Sequence, residues 1–279
     1  MPDRAGQLSL TVSGIQTGTV TSADGTRIAV DRSGAGPAVV LVQGALNDRT
    51  DPVMSGLAAG LSRWFTVFSY DRRGRGGSGD TQPYAVEREA EDLAVVIAEA
   101  GGSAAVFGGS SGAGLALRAA VKNPAITRLA LWEPPYHVGD SAPRLPGDFA
   151  GQLDRLVEAG RRADAVELFL VRAAQVSPQG VAGMRGHASW PAMEAAAQSL
   201  AYEARVMGPG NALPGELLAA ITQPTLVLNG GASPAWMRRA GQAVADAIPG
   251  AVYRVLEGQA HSVAPTAIVP ELLEFFVRS

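Results

Sequence analysis

The pentapeptide Gly108-Gly109-Ser110-Ser111-Gly112 carries the clearest chemical signal in this chain. It has the form G-x-S-x-G, which holds a serine hydroxyl at the tip of a tight strand-to-helix turn for use as a nucleophile. A nucleophile in so sharp a turn needs neighbours without bulk, and Gly108, Gly112 and Gly114 provide that. Centring the motif on Ser111 would put Ala113 where the second flanking glycine belongs, so Ser110 is the preferred nucleophile. The competing reading is a Gly/Ser-rich turn that only packs tightly or receives an anion at a helix N-terminus. A serine hydroxyl attacks only when a base takes its proton. The candidates are His137, His187 and His261. His261 follows the apolar run 251–256 and closes Glu257-Gly258-Gln259-Ala260-His261, a loop that would share a sheet edge with Ser110. His137 and His187 fall in a helical stretch, where surface or structural roles are the simpler reading.

Strands must deliver these groups to one edge. Short continuous apolar runs occur at 39–42, 66–70, 104–107, 129–132, 225–228 and 251–256. Such runs fit strands buried on both faces, as in a parallel sheet. Asp24-Gly25 between 19–21 and 27–31 marks a hairpin. Residues 1–16 read as a leader or an extra edge strand. Between the apolar runs lie helical patterns. Val86, Ala90, Leu93, Ala94 and Ile97 share one face, with Gly101 as the stop. Trp236, Ala240, Ala243, Val244 and Ala247 share another, and Pro270 is expected to open a last helix. This alternation predicts an α/β fold, a doubly wound, mostly parallel sheet. It breaks between about residues 136 and 223, which read as helical throughout. The expected organisation is a core of residues 1–135 and 216–279 with a helical cap of 136–215, lying over the strand ends where such sheets bind ligands.

Composition narrows the function classes. The chain of 279 residues is 47% apolar and 18% charged, which is globular rather than disordered. A net charge of −3, with Arg72, Arg73 and Arg75 as the single basic cluster, argues against nucleic acid. With no cysteine there is no thiol catalysis, disulfide or thiolate zinc site, and three histidines without H-E-x-x-H suggest no metal. No apolar run approaches the ~18 residues of a membrane span, and residues 1–18 lack a signal-peptide core. The expectation is a cytoplasmic protein that needs no cofactor, acts on a small molecule and does not engage membranes.

Five segments occur in order: 39–45; Tyr70-Asp71-Arg72-Arg73-Gly74-Arg75-Gly76-Gly77-Ser78; the Ser110 turn; 224–230; and 258–261. Together they resemble the α/β-hydrolase superfamily over nearly the whole chain. The resemblance implies a Ser110–His261 pair and an oxyanion hole from the N–H groups of Ala45 and Ser111. There are two departures from the family pattern. Gln43-Gly44 replaces the usual His-Gly, and Ser233 stands where an aspartate normally follows Gly230. Serine cannot stabilise an imidazolium as a carboxylate does. Some members place the acid directly after the preceding strand, where this chain has Glu133. Zearalenone-type lactone hydrolases are one such group, and they share the Ser-Ser-Gly-Ala elbow seen at 110–113. The resemblance therefore implies Glu133 as the triad acid, set against a capping or salt-bridging role at the cap hinge. Asp71 and Asp80 are acidic rivals, although the 71–79 motif more often shapes a loop.

In the cap, Trp190 and Met193 are candidates to line a substrate chamber, and Trp236 to line its entrance. Together they suggest a mostly apolar substrate. The implied reaction is ester or lactone hydrolysis through an acyl-enzyme. The alternatives are C–C bond hydrolysis on the same residues, a lyase or cyclase on the same fold, and a non-catalytic binding protein with a degenerate triad.

Overall fold

The computed structural model describes residues 9–10, 14–140 and 142–277. Its strands are β1 (Ser9–Leu10), β2 (Gln16–Thr21), β3 (Arg27–Ser33), β4 (Ala38–Val42), β5 (Thr66–Tyr70), β6 (Ala104–Gly109), β7 (Ile126–Trp132), β8 (Thr225–Gly230) and β9 (Val252–Leu256). They form one sheet in the order β1-β2-β3-β5-β4-β6-β7-β8-β9. From β5 across to β9 every pairing is parallel, while β1, β2 and β3 add antiparallel pairs at one edge. Asp24-Gly25 forms the turn of the β2–β3 hairpin, with the Ser22 carbonyl accepting from Gly25 N–H at 2.9 Å. Of the segment read as a leader or an extra edge strand, Ser9–Leu10 form the edge strand β1, and residues 1–8 and 11–13 lie outside the described residues.

Both faces of the sheet are covered, which is why its strands read as unbroken apolar runs. Alternate residues point to opposite sides. In β7, Leu129 and Leu131 join one core cluster, while Ala130 and Trp132 join the other. The first cluster includes side chains of α2 (Val86–Glu99), α3 (Ser111–Lys122) and α10 (Ala235–Ala247). The second includes those of α1 (Pro52–Leu61) and α11 (Pro265–Val277). One expectation is corrected here. Pro270 does not open α11 but lies inside it, and Pro265 begins the helix. Ile268 and Val269 extend the buried stripe ahead of Pro270, and this burial offsets the backbone hydrogen bond that an interior proline removes.

Between β7 and β8 the chain makes α4 (Phe149–Glu158), α5 (Arg162–Arg172), α6 (Pro178–Arg185), α7 (Trp190–Ala195), α8 (Leu200–Met207) and α9 (Gly215–Ala219). This insertion has its own apolar cluster, centred on Leu153, Ala165, Val166 and Leu200. Its base is closed by a parallel bridge between His137 and Ala212, with His137 N–H donating to Asn211 O at 2.8 Å. Among the described residues no helix is long and apolar enough to cross a membrane.

Candidate active site

Ser110 sits between β6 and α3 with φ 54° and ψ −126°, a strained conformation for a residue with a side chain. Its surroundings keep it there. Ser110 N–H donates to Trp132 O at 2.8 Å, and Ser110 O accepts from Ala113 N–H at 2.9 Å. The glycines are there to let backbone approach backbone. A Cβ on Gly112 would lie 2.4 Å from Val42 O, and one on Gly108 would lie 2.7 Å from Gly112 O. The hydroxyl is therefore carried at the carboxyl end of β6, with the N-terminus of α3 behind it.

His261 and Glu133 meet across the end of β8, which lies between the strands that carry them. Glu133 directly follows β7, and His261 comes shortly after β9. Their contact is Nδ1 to Oε2 at 2.6 Å. Glu133 is fully buried, and its backbone also bends left-handed at φ 46°. Its other oxygen, Oε1, faces donors: Gly230 N–H at 2.8 Å and Asn229 Nδ2 at 3.4 Å. Burial alone would raise the carboxyl pKa. Hydrogen bonds from His261 and Gly230, with the Ser233 hydroxyl close by, outweigh it and hold the pKa below the ordinary glutamate value. The His261 side chain is 46% exposed, so the ring reaches the surface of the site while its Nδ1 edge is gripped from inside. Its loop is anchored by Trp132, whose indole N–H donates to His261 O at 2.9 Å.

The segment after β4 lies beside Ser110. A Cβ on Gly44 would come within 2.8 Å of the Ser110 Cβ and 3.5 Å of its Oγ. Ala45 follows, half-buried against the insertion's apolar cluster. Ser111 opens α3 at 3% exposure. β4 pairs with β6, and β6 with β7, so these groups line one edge of the sheet. That edge lies next to the point where strand order reverses at β4, the usual ligand crevice of open α/β sheets.

Residues 39–269 match the family model described as "Alpha/beta hydrolase family". The chain belongs to that family. It is similar to the crystal structure of an alpha/beta hydrolase from Sphaerobacter thermophilus DSM 20745, at 56% identity and TM-score 0.88, covering 93% of this chain and 100% of that one. A thermophilic esterase from Thermogutta terrifontis shares the fold at 23% identity and TM-score 0.69, with 94% and 98% of the chains covered. Among curated proteins, the uncharacterized hydrolase YraK of Bacillus subtilis (strain 168) is 34% identical over 104 residues. That match spans 36% of this chain and 38% of YraK.

As an alpha/beta hydrolase, the chain departs from the family pattern at Ser233, and the structure shows what stands there instead. Ser233 is 2% exposed, and its hydroxyl is among the groups that lower the Glu133 pKa, although its Oγ has no partner in full hydrogen-bond geometry. The serine at the position of the family's usual acid thus faces the Glu133 carboxylate. Gln43, at the other departure, is fully buried with both amide atoms unpaired. The acidic rivals are occupied elsewhere. Asp71 accepts from Arg49 N–H and Gly77 N–H, both at 2.7 Å, and shapes the loop after β5. Asp80 accepts from Tyr202 Oη at 2.8 Å.

The three proposed lining residues are in different places. Trp190 is 6% exposed within the insertion's cluster, with its indole N–H on Glu194 at 2.6 Å and the Arg185 guanidinium 5.2 Å over its ring. Met193 is half-buried against the same cluster, which also reaches Ala45 and Leu46. Trp236 is 8% exposed at the head of α10, and its ring meets His137 edge-on at 5.6 Å. His187 is exposed and bonds Ser189.

The arginine cluster forms a buried ion-pair network that the sequence reading did not anticipate. Arg72, Arg73 and Arg75 are all buried. Arg73 pairs with Asp92 at 2.7 Å and Asp24 at 2.9 Å. Arg72 pairs with Glu89 at 2.6 Å and with Glu203 of α8 at 2.9 Å. Arg75 also pairs with Glu203. The sequence clue was the acidic partners on amphipathic helices, Glu89 and Asp92 on α2 and Glu203 on α8.

Proposed function

We propose that this alpha/beta hydrolase cleaves an ester or lactone of a mostly apolar small molecule through a Ser110–His261–Glu133 triad. The observation that carries the reading is the 2.6 Å contact between His261 Nδ1 and the buried Glu133 carboxylate, beside a strained serine elbow. With Nδ1–H given to Glu133, the neutral imidazole keeps Nε2 free to accept a proton. Ser110 Oγ attacks the substrate carbonyl as His261 takes its proton. The oxygen of the tetrahedral intermediate sits between the N–H groups of Ala45 and Ser111. His261 then protonates the leaving alkoxide, which departs and leaves the acyl group on Ser110. Water, deprotonated by the same imidazole, releases the acid. Glu133 stays ionised throughout and offsets the imidazolium charge; its depressed pKa suits that role.

The insertion, taken as residues 136–215, is the cap over this edge. Its apolar cluster continues into Ala45 and Leu46, which favours a substrate with an apolar body. The esterase among the fold's relatives and the lactone-hydrolase pattern of elbow and acid are in keeping with this reading.

The test is labelling with a fluorophosphonate and peptide mapping on wild type, Ser110→Ala and Glu133→Gln. Labelling confined to Ser110, abolished in Ser110→Ala and slowed in Glu133→Gln, is expected. A folded wild type that takes no label would overturn the triad and favour a binding role. Turnover of an ester and lactone panel, with a diketone panel alongside, then assigns the bond cleaved.

A further inference from the structure

We infer that Arg75, held from behind by Glu203 of the cap, is a positioning residue that aims the Ala45 N–H at the oxyanion. The inference rests on the hydrolase reading above and adds a residue and a mode of action to it. Arg75 Nη1 donates to Gly44 O at 2.5 Å. Gly44 C=O and Ala45 N–H belong to one peptide unit, which is planar and trans. The N–H therefore points opposite to the C=O. Fixing the carbonyl with a guanidinium fixes the direction of the donor on the other side, next to Ser110. A cation on the carbonyl also polarises the peptide and strengthens its N–H as a donor.

The loop needs such a brace. Leu46, the next residue, has φ 63°, a left-handed conformation that a leucine adopts only under constraint. The same Nη1 also donates to Asn47 O at 3.3 Å, so one guanidinium staples both sides of the strained residue. Arg72 repeats the device one peptide earlier, with Nη1 donating to Gln43 O at 3.3 Å.

Glu203 ties this brace to the cap. It is 1% exposed on α8 and pairs with both Arg72 and Arg75. Glu89 pairs with Arg72 and is further held by Tyr84 Oη at 2.7 Å. Two arginines and two carboxylates thus balance in a water-poor site. Burial and the neighbouring Arg72 charge pull the Arg75 pKa down to about 9, which still leaves it cationic at neutral pH. The oxyanion loop is correctly shaped only when α8 is docked, so cap seating and transition-state stabilisation are coupled.

The charge-balanced variant Arg75→Met/Glu203→Gln removes the brace without stranding an ion, and Arg75→Lys keeps the charge while losing the fork. A lysine ammonium is a single point that cannot hold Gly44 O and Glu203 as a planar guanidinium does. Each variant is compared with wild type for thermal midpoint, for ester kcat and KM, and for affinity toward a trifluoromethyl ketone, which forms an oxyanion on addition of the serine. Removing one oxyanion donor costs about 10²–10³ in kcat, so kcat should fall by about 10²-fold in the double variant and less in Arg75→Lys. KM should hold near its wild-type value, and ketone affinity should fall in step with kcat/KM. Wild-type kcat and ketone affinity in a folded Arg75→Lys or double variant overturn the inference while leaving the hydrolase reading intact. So does a loss of thermal midpoint with no loss of kcat, the mark of a purely structural ion pair. A wild type that neither labels at Ser110 nor turns over esters removes the hydrolase reading, and this inference with it.

Discussion

Replacing Glu133 by glutamine tests the triad because the site dictates how the amide must sit. Glu133 Oε1 faces Gly230 N–H at 2.8 Å and Asn229 Nδ2 at 3.4 Å, both donors. An amide NH₂ cannot occupy that side, so the amide oxygen stays there and the NH₂ turns to His261 Nδ1. That nitrogen must then accept, which moves the ring proton to Nε2, the atom needed to deprotonate Ser110. Exchange of a triad acid for its amide costs about 10⁴ in kcat by this tautomer effect. At about 1.4 kcal/mol per decade, a loss of 10³–10⁴ is a barrier increase of about 4–5.5 kcal/mol. The assay is steady-state hydrolysis of a p-nitrophenyl ester, with thermal unfolding as a control for fold. Because the amide oxygen keeps its two donors, the fold should persist, with the midpoint lowered only by the ionisation-linked stability that the carboxylate supplies. A folded Glu133→Gln enzyme within tenfold of wild-type kcat would refute the assignment and return Glu133 to a hinge role.

Three further outcomes follow from the same geometry. Adding Ser233→Asp to Glu133→Gln places a carboxylate against the same pocket and should restore about 10- to 100-fold of the lost kcat; no gain over the single variant counts against the two positions being interchangeable. Gly112→Ala drives a Cβ to 2.4 Å from Val42 O and should cost about 1–3 kcal/mol of stability or more, read from the urea midpoint; a neutral result means that β4 and α3 are not so closely packed. The folded pKa of Glu133 lies below its ordinary value of 4.5, so the stability linked to its ionisation is complete above about pH 4.5 and is lost as pH falls through the depressed pKa. The urea-midpoint difference between wild type and Glu133→Gln should therefore be flat at higher pH and shrink only below that point.

Much of the fold was legible because the sheet is buried on both faces. Runs such as 39–42 and 225–228 can be little else than central strands when glycine and proline bound them. The elbow was legible because its glycines are demanded by backbone contact rather than by preference. The end of the chain was misread at Pro270, where packing of Ile268 and Val269 overrode a local start signal. The arginine network was hidden for a different reason. A buried ion pair is defined by its partners, and Arg75 and Glu203 are far apart in sequence but joined in space. Glu133 stands between these cases. Its position after a strand was visible, but its full burial and the turn of Ser233 toward it depend on where β8 and α10 lie.

The bridge between His137 and Ala212 makes the insertion separable in a practical sense. The chain enters and leaves the insertion at paired residues that lie outside the strands of the sheet, about 5 Å apart across one rung. A different insertion could therefore be grafted between these points without stretching the core. The transplanted insertion would have to bring an acid to the position of Glu203, since Arg72 and Arg75 would otherwise lose the carboxylate they share and the loop beside Ser110 would lose its anchor.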